Sequence, residues 1–121
     1  MLPCAGQGAL GVEVRSDAHA LRAQLAQLTH RPTWLAVQAE RAVSRSLGGS
    51  CSMPLAAHAT WSGDTLSLSV ALGHSLTPAS TLLRATQQAV VQTDAQACAL
   101  GEAAAQSLRD TGASAYLVPA V

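Results

Sequence analysis

One cysteine, Cys51, stands out because it lies in a stretch that is built to turn, the LGGSCSMPLAAHA of residues 47–59. Gly48 and Gly49 precede it, and glycine adopts backbone conformations that other residues disfavour. Pro54 follows it and restricts the direction in which the chain leaves. A thiol held in such a loop could be accessible and serve as a nucleophile or a covalent anchor. The simpler interpretation is a small buried side chain, the usual role of a free cysteine.

The remaining cysteines give no support for a metal or redox site. Cys4 and Cys98 are far from Cys51 in the chain, and no Cys-x-x-Cys pair is present, which argues against zinc or thioredoxin-like chemistry. The four histidines also lack a pair at metal-ligand spacing on one helix. We therefore predict no metal site and, from the odd number of widely spaced thiols, a reduced cytoplasmic protein.

Two other groups of residues suggest chemistry that their spacing does not support. Cys51 and His58 could form a nucleophile and a base, but seven residues of extended chain span about 20 Å. His58 is predicted instead on the polar face of a strand. Gly6, Gly8 and Gly11 satisfy the GxGxxG spacing, but no strand precedes them and no helix follows directly, so a dinucleotide site is not predicted.

The neighbouring residues Glu40 and Arg41 lie in a predicted helix and have two interpretations. Their side chains could form local ion pairs or reach across to a loop. The simpler interpretation is an exposed ion pair, which contributes well under ~1 kcal/mol to the free energy of unfolding.

The composition describes a small, apolar and electrically neutral chain. It has 121 residues, of which 49% are hydrophobic and 12% charged, enough for one core but with little charge for its surface. Seven basic residues are balanced by seven acidic ones, so the basic stripe required for nucleic-acid binding is lacking. No apolar run reaches the ~18 residues of a membrane span, and the first residues lack the basic region of a signal peptide.

Hydrophobic periodicity predicts the order of helices and strands. Apolar residues recur at helical spacing in three segments, which are residues 17–29, 33–47 and 94–111. Alternation at every second residue and turn residues predict three strands, which are residues 55–61, 65–72 and 80–91. The Ser-Gly-Asp sequence between the first two strands is typical of a hairpin turn.

These elements predict an α+β fold, a small three-stranded antiparallel sheet with helices packed on one face. An N-terminal extended segment, residues 8–14, is predicted to precede it. Asp17 and Asp94 are the predicted N-caps of the first and last helices, and Gly48 and Gly49 are predicted to end the second helix.

Two long motifs resemble the C-terminal portion of the hydroxymethylbilane synthase family, also called the porphobilinogen deaminase family. The first motif, LPCAGQGALGVE, is similar to the family pattern LPA-x-GQGA-x-G-x-E. The second comprises the AERA sequence of residues 39–42, the glycine pair 48–49, Cys51 and Pro54. The resemblance is strong over residues 2–59 and continues weakly through the strand pattern to the end of the chain.

The resemblance implies a function for the loop. A loop cysteine in this family carries a dipyrromethane cofactor through a thioether, and Cys51 is in that position, with Gly49 and Ser50 supporting it. The family enzyme extends the cofactor by four porphobilinogen units, releasing ammonia each time, and yields hydroxymethylbilane for tetrapyrrole and haem biosynthesis. Gln7 and Gly8 match the loop that borders the substrate cleft. A glycine-flanked tether suits a chain that must be repositioned after each addition.

The resemblance also implies which parts of the family enzyme are represented. Residues 1–15 match a strand and loop of its first domain, and residues 16–121 match its C-terminal, cofactor-carrying domain. The catalytic aspartate and most of the arginines that hold the cofactor carboxylates belong to the N-terminal domains, the expected partners of this chain. We therefore expect no catalytic residue here and no deaminase activity from this chain alone. Porphobilinogen is the expected substrate of the complete enzyme, which is usually monomeric in this family.

Two alternatives stay open. The order of a helix, three antiparallel strands and a helix is also that of double-stranded RNA-binding domains, although the neutral charge disfavours RNA binding. The chain could also be a folded remnant without function. For residues 1–15 we expect either poor packing or an exposed apolar strand that drives self-association.

Overall fold

The computed structural model describes residues 1–49, 52–77 and 80–117. Four helices lie within these ranges: α1 (His19–Ala26), α2 (Arg31–Ser46), α3 (Asp94–Asp110) and α4 (Ala113–Tyr116). Three strands form one antiparallel sheet in the order β1-β2-β3: β1 (Leu55–Ser62), β2 (Thr65–Leu72) and β3 (Leu83–Val90). The predicted α+β class is confirmed. None of the described helices combines the length and apolarity needed to cross a bilayer.

Strand β2 is the centre of the sheet and supplies much of the hydrophobic core. Its inward residues are buried beneath the helices and alternate with half-buried serines on the opposite face: Leu66, Leu68, Val70 and Leu72 are buried, and Ser67 and Ser69 lie between them. The predicted hairpin turn is confirmed, because Ser62 pairs with Thr65 across two turn residues. The period-2 pattern thus predicted both the strand and its buried face.

Helices α2 and α3 cover the buried face of the sheet and approach each other closely at Gly101. A Cβ atom at Gly101 would lie 2.5 Å from the Ala42 Cβ atom and closer still to the Ala39 carbonyl oxygen. Glycine is therefore required there by the separation of the two helix backbones. The closeness of this contact is a tertiary feature that the alanine-rich sequence of α3 does not predict.

The two predicted N-caps are both wrong. Asp17 does not cap α1, whose N-cap is Ala18 without a side-chain hydrogen bond, because the Asp17 carboxylate instead accepts from Arg15 at 2.9 Å. Helix α3 is capped by Thr93, whose hydroxyl accepts from the Gln96 N–H at 3.2 Å. The Gln96 side chain accepts from the Thr93 N–H at 3.2 Å, which completes a capping box.

The first 29 residues divide into a packed start and an exposed continuation. The Pro3 carbonyl accepts a hydrogen bond from the Ala57 N–H of β1 at 3.0 Å. Residues 8–14, predicted as extended, form no strand, and Leu10 and Val12 are 94% and 64% exposed. The expectation of poor packing therefore holds for residues 9–15 but is wrong for the segment at Pro3.

Candidate functional site

The loop that contains Cys51 begins where α2 ends. Gly48 and Gly49 have φ angles of 112° and 64°, and the Gly49 N–H donates to the Ser44 carbonyl at 2.8 Å, so the predicted end of the helix is confirmed. A side chain at Gly49 would be strained in this left-handed conformation. Ser50 and Cys51, the predicted attachment site and its neighbour, lie outside the described residues, and their role stays a prediction.

The chain leaves the loop through Met53 and Pro54. Met53 is half-buried and packs against the hydrophobic core, and its carbonyl accepts from the Leu55 N–H at 2.8 Å. The Pro54 carbonyl accepts from the Gly73 N–H at 2.9 Å, just beyond the paired ends of β1 and β2. Both flanks of the loop are therefore fixed to regular structure, α2 on one side and the β1–β2 hairpin on the other.

Gln7 and Gly8 lie at the exposed tip of a double turn near the start of the chain. The Gln7 N–H donates to the Cys4 carbonyl and the Ala9 N–H to the Gly6 carbonyl, each at 3.1 Å. The Cys4 thiol donates to Gln7 Oε1 at 3.2 Å and holds that side chain over the turn. We call Cys4–Ala9 the GQG turn. The role of Gln7 and Gly8 in a substrate cleft stays a prediction.

The side chain of Glu40 joins the GQG turn to the sheet. Its Oε1 accepts from the Gly6 N–H at 2.7 Å and its Oε2 from the Ala59 N–H at 2.9 Å, and the residue is only 6% exposed. Hydrogen bonds to an ionised acceptor are stronger than neutral ones and offset part of the cost of burying the charge. The interpretation of Glu40 and Arg41 as an exposed ion pair is wrong for Glu40, which reaches across to a loop.

The helical spacing in the sequence indicated that Glu40 is buried, although the interpretation as an exposed ion pair did not use it. Glu40 is four residues after Ala36 and three before Val43, two members of the predicted apolar stripe of α2. Residues at these spacings share a helix face, so Glu40 had to point toward the core. The backbone groups that bind its carboxylate depend on the tertiary structure and could not be predicted from this pattern.

Two acceptors satisfy outward N–H groups along the free edge of β1. Ala57 and Ala59 donate away from β2, Ala57 to Pro3 and Ala59 to Glu40. His58, between them, is exposed as predicted and pairs in register with Ser69, and its Nδ1 lies 3.9 Å from Glu40 Oε2. The edge that would otherwise invite strand pairing is thus partly covered by the start of the chain.

A cavity of about 480 Å³ lies over the end of the sheet where Ala56, Ala71 and Arg84 are paired across the three strands. It is lined by the start of the chain, by the segment that follows the Cys51 loop and by the open end of the sheet, with Met1, Cys4, Met53, Pro54 and Arg84 among the residues. Arg84 contributes the cationic group of this lining. The structure therefore brings together the flank of the predicted attachment loop, the segment leading into the GQG turn and one guanidinium.

Two other features lie away from this cavity. A second cavity of about 670 Å³ separates the outer sides of α2 and α3, where Arg109 donates to the carbonyl and hydroxyl of Ser46. At the opposite ends of these helices, hydrogen bonding from Trp34 and the charge of Arg31 hold the pKa of Asp94 below its ordinary value. The described part of the chain has no cluster of three metal-ligating side chains.

Comparison with known proteins assigns the family. A family model described as "Porphobilinogen deaminase, C-terminal domain" matches residues 34–110, which include most of α2, the whole sheet and α3. Because this match covers more than half of the chain, the chain belongs to the porphobilinogen deaminase family and contains its C-terminal domain. The assignment takes precedence over the RNA-binding alternative, which shares only the order of the elements.

Individual relatives extend the match to nearly the whole chain. The chain is 52% identical over 109 residues to a porphobilinogen deaminase of Albidiferax ferrireducens, covering 90% of this chain and 34% of the relative. It is 50% identical over 116 residues to that of Burkholderia thailandensis, covering 96% and 35%. For Ralstonia nicotianae the identity is 51% over 112 residues, covering 93% and 33%. The chain therefore spans about a third of the length of these relatives.

Proposed function

We propose that this chain is the cofactor-carrying part of a porphobilinogen deaminase, with the Cys51 thiol tethering a dipyrromethane primer through a thioether. The complete enzyme condenses four porphobilinogen units into hydroxymethylbilane and releases ammonia. The observation that carries the proposal is that Gly49 and Pro54, on either side of residues 50–51, are held by hydrogen bonds and that Met53 and Pro54 line a cavity together with Arg84. Family membership supports the same function.

The residues around this cavity fit the tethered end of such a cofactor. A dipyrromethane with acetate and propionate side chains carries four carboxylates, and a guanidinium is the donor best matched to a carboxylate. Arg84 would hold one of them, while Gln7 and Gly8 would border the cleft. The other carboxylates require donors from the part of the relatives that this chain does not span.

These carboxylate donors indicate which tasks this chain performs and which the rest of the enzyme performs. When bound, the dipyrromethane supplies the pyrrole end to which porphobilinogen is added. The chain's own contribution is to hold the primer by the Cys51 sulfur and to pair one carboxylate at Arg84. The catalytic acid–base group and most of the carboxylate donors lie outside this chain, so the isolated chain should not turn over porphobilinogen.

A chimaera tests the tether directly. The matched region of the A. ferrireducens protein would be replaced by this chain, and the purified protein examined by intact-mass spectrometry and assayed with porphobilinogen. We expect turnover and an adduct equal to two porphobilinogen units less two molecules of ammonia. Cys51→Ser should lose both, whereas the matched controls Cys4→Ser and Cys98→Ser should keep the adduct. An adduct that persists in Cys51→Ser would refute the tether, and turnover by the isolated chain would refute the proposed division of labour.

A further inference from the structure

Glu40 is the buried ionisable side chain of the described part of the chain, and its two oxygens bind two separate segments. Gly6 is 34 residues away in sequence and Ala59 is 19 residues away. Each oxygen accepts one backbone N–H at a distance typical of a strong, charge-assisted hydrogen bond. The carboxylate therefore works as a two-point bridge.

The bridge fixes the GQG turn to the rest of the chain at Gly6. Its other hydrogen bonds, those of Gln7 and Ala9, close within the turn itself. Between described residues, the bond from Gly6 to Glu40 is the hydrogen bond that connects the turn to the rest of the chain. Gln7 and Gly8 follow Gly6 directly, so the Gly6 amide is the anchor nearest to both. The Pro3 carbonyl, bonded to the Ala57 N–H, and the packing of Ala5 on the core hold the chain just before them.

The carboxylate satisfies two backbone donors at once. An apolar residue on the same face of α2 would pack into the core but would leave the buried, outward N–H of Ala59 without its acceptor. A buried charge is kept at a cost in desolvation, and here it gives both N–H groups one shared acceptor. What the carboxylate adds is a fixed relation between the turn and β1.

We propose that Glu40 is a positioning residue that sets the GQG turn, and with it Gln7 and Gly8, against the edge of β1 next to the cofactor loop. This inference rests on the proposed function for its purpose but not for its geometry. Glu40 makes no contact with the reacting groups in this scheme. It acts through the Gly6 amide.

Nuclear magnetic resonance of the 121-residue chain tests the bridge without any cofactor. In the unmodified chain, we expect scalar couplings across hydrogen bonds from the Gly6 and Ala59 amide nitrogens to the Glu40 carboxylate carbon. In Glu40→Gln the side chain keeps its size, but one N–H would face an amide donor. The Gly6 amide should then exchange with solvent roughly tenfold faster or more, and the signals of Gln7 and Gly8 should shift.

Core amides and a matched variant separate positioning from general stability. The exchange of Val43 and Leu68 should stay unchanged in Glu40→Gln, and the exposed Glu102→Gln should leave the GQG turn signals in place. Absence of both couplings in the unmodified chain would overturn the proposal even if the variant fails to fold. Unchanged signals from Gly6 to Gly8 in Glu40→Gln, or a uniform loss of protection across the core, would overturn it as well. None of these results depends on Cys51, so failure of the bridge and failure of the tether are distinguishable.

Discussion

Helices α1 and α2 both carry apolar residues at helical spacing, more strongly in α2, but only α2 packs on the core. Helix α2 buries five residues against the sheet and α3, which are Leu35, Ala39, Glu40, Ala42 and Val43, whereas α1 buries none. In α1, Leu21 remains 45% exposed, and Leu28 just beyond the helix 77% exposed. We call residues 9–29 the N-terminal arm and α2 through α4 with the sheet the body.

This difference shows that an amphipathic pattern predicts which face of a helix is apolar, but not whether another part of the protein packs against that face. Helix stability in proteins comes mostly from packing of the apolar face, and α2 has a sheet of matching length to pack on. The described residues provide no such surface for α1. Perturbations of the body and the arm should therefore differ sharply, even when the chemical change is the same.

The largest expected difference is between two leucine truncations. Leu108→Ala removes a side chain that is fully buried in α3 and should lower the free energy of unfolding by about 3 kcal/mol through lost burial and a cavity. Leu28→Ala in the arm should change it by less than ~0.5 kcal/mol. Urea unfolding of both variants measures this. Similar losses would mean that the arm packs as the body does.

A second pair of substitutions compares two glycines. Gly101→Ala places a methyl group against Ala42 of α2 and should force the helices apart at a cost of about 1–3 kcal/mol, as overpacking does. Gly11→Ala lies in the arm, where a Cβ atom meets nothing within 4 Å, and should be near neutral. Thermal unfolding of each variant gives the comparison. A stable Gly101→Ala would show that α2 and α3 can separate freely.

Changes to the helix caps should have a smaller effect on the free energy of unfolding, but one that still differs between the arm and the body. Thr93→Ala removes the hydroxyl of the capping box of α3 and should cost about 1 kcal/mol. Ala18→Ser adds a capping hydroxyl to α1, which lacks one, and should leave global unfolding unchanged because α1 is not packed on the core. Denaturant midpoints measure both. A gain in global stability from Ala18→Ser would contradict the separation of arm and body.

The smallest expected effect is an acid dependence carried by Asp94. Hydrogen bonding from Trp34, with the charge of Arg31, lowers the pKa of Asp94 below the ordinary 3.8. A carboxylate whose folded pKa is lowered contributes stability above the unfolded pKa and loses it as pH falls through the folded pKa. Below pH 3.8 the free energy of unfolding of Asp94→Asn should therefore decrease less than that of the unmodified chain. Asp17→Asn in the arm should show the same acid unfolding as the unmodified chain. Acid titration followed by tryptophan fluorescence measures both, and identical curves for all three chains would exclude a role for Asp94.

Elements whose signal is local could be predicted, and contacts between distant segments could not. The alternation from Leu66 to Leu72 and the glycines that end α2 each depend on a few neighbouring residues, and both predictions are confirmed. Asp17 failed as a cap because Arg15 competes for its carboxylate. Glu40 was misread because its hydrogen-bond partners are contributed by a turn and a strand far away in sequence.

The amino-acid sequence by itself determined the order of the three longer helices and the three strands, the buried face of the sheet, the glycine turn before Cys51 and the family motifs, but not the short helix α4. These properties follow from periodicity, backbone preference and residue identity, which act over short stretches of chain. Only the tertiary structure decided which backbone groups the Glu40 carboxylate meets, that the GQG turn lies against β1 and that α1 stays exposed. Burial depends on whether a complementary surface is present, and an isolated stretch of sequence does not contain that information.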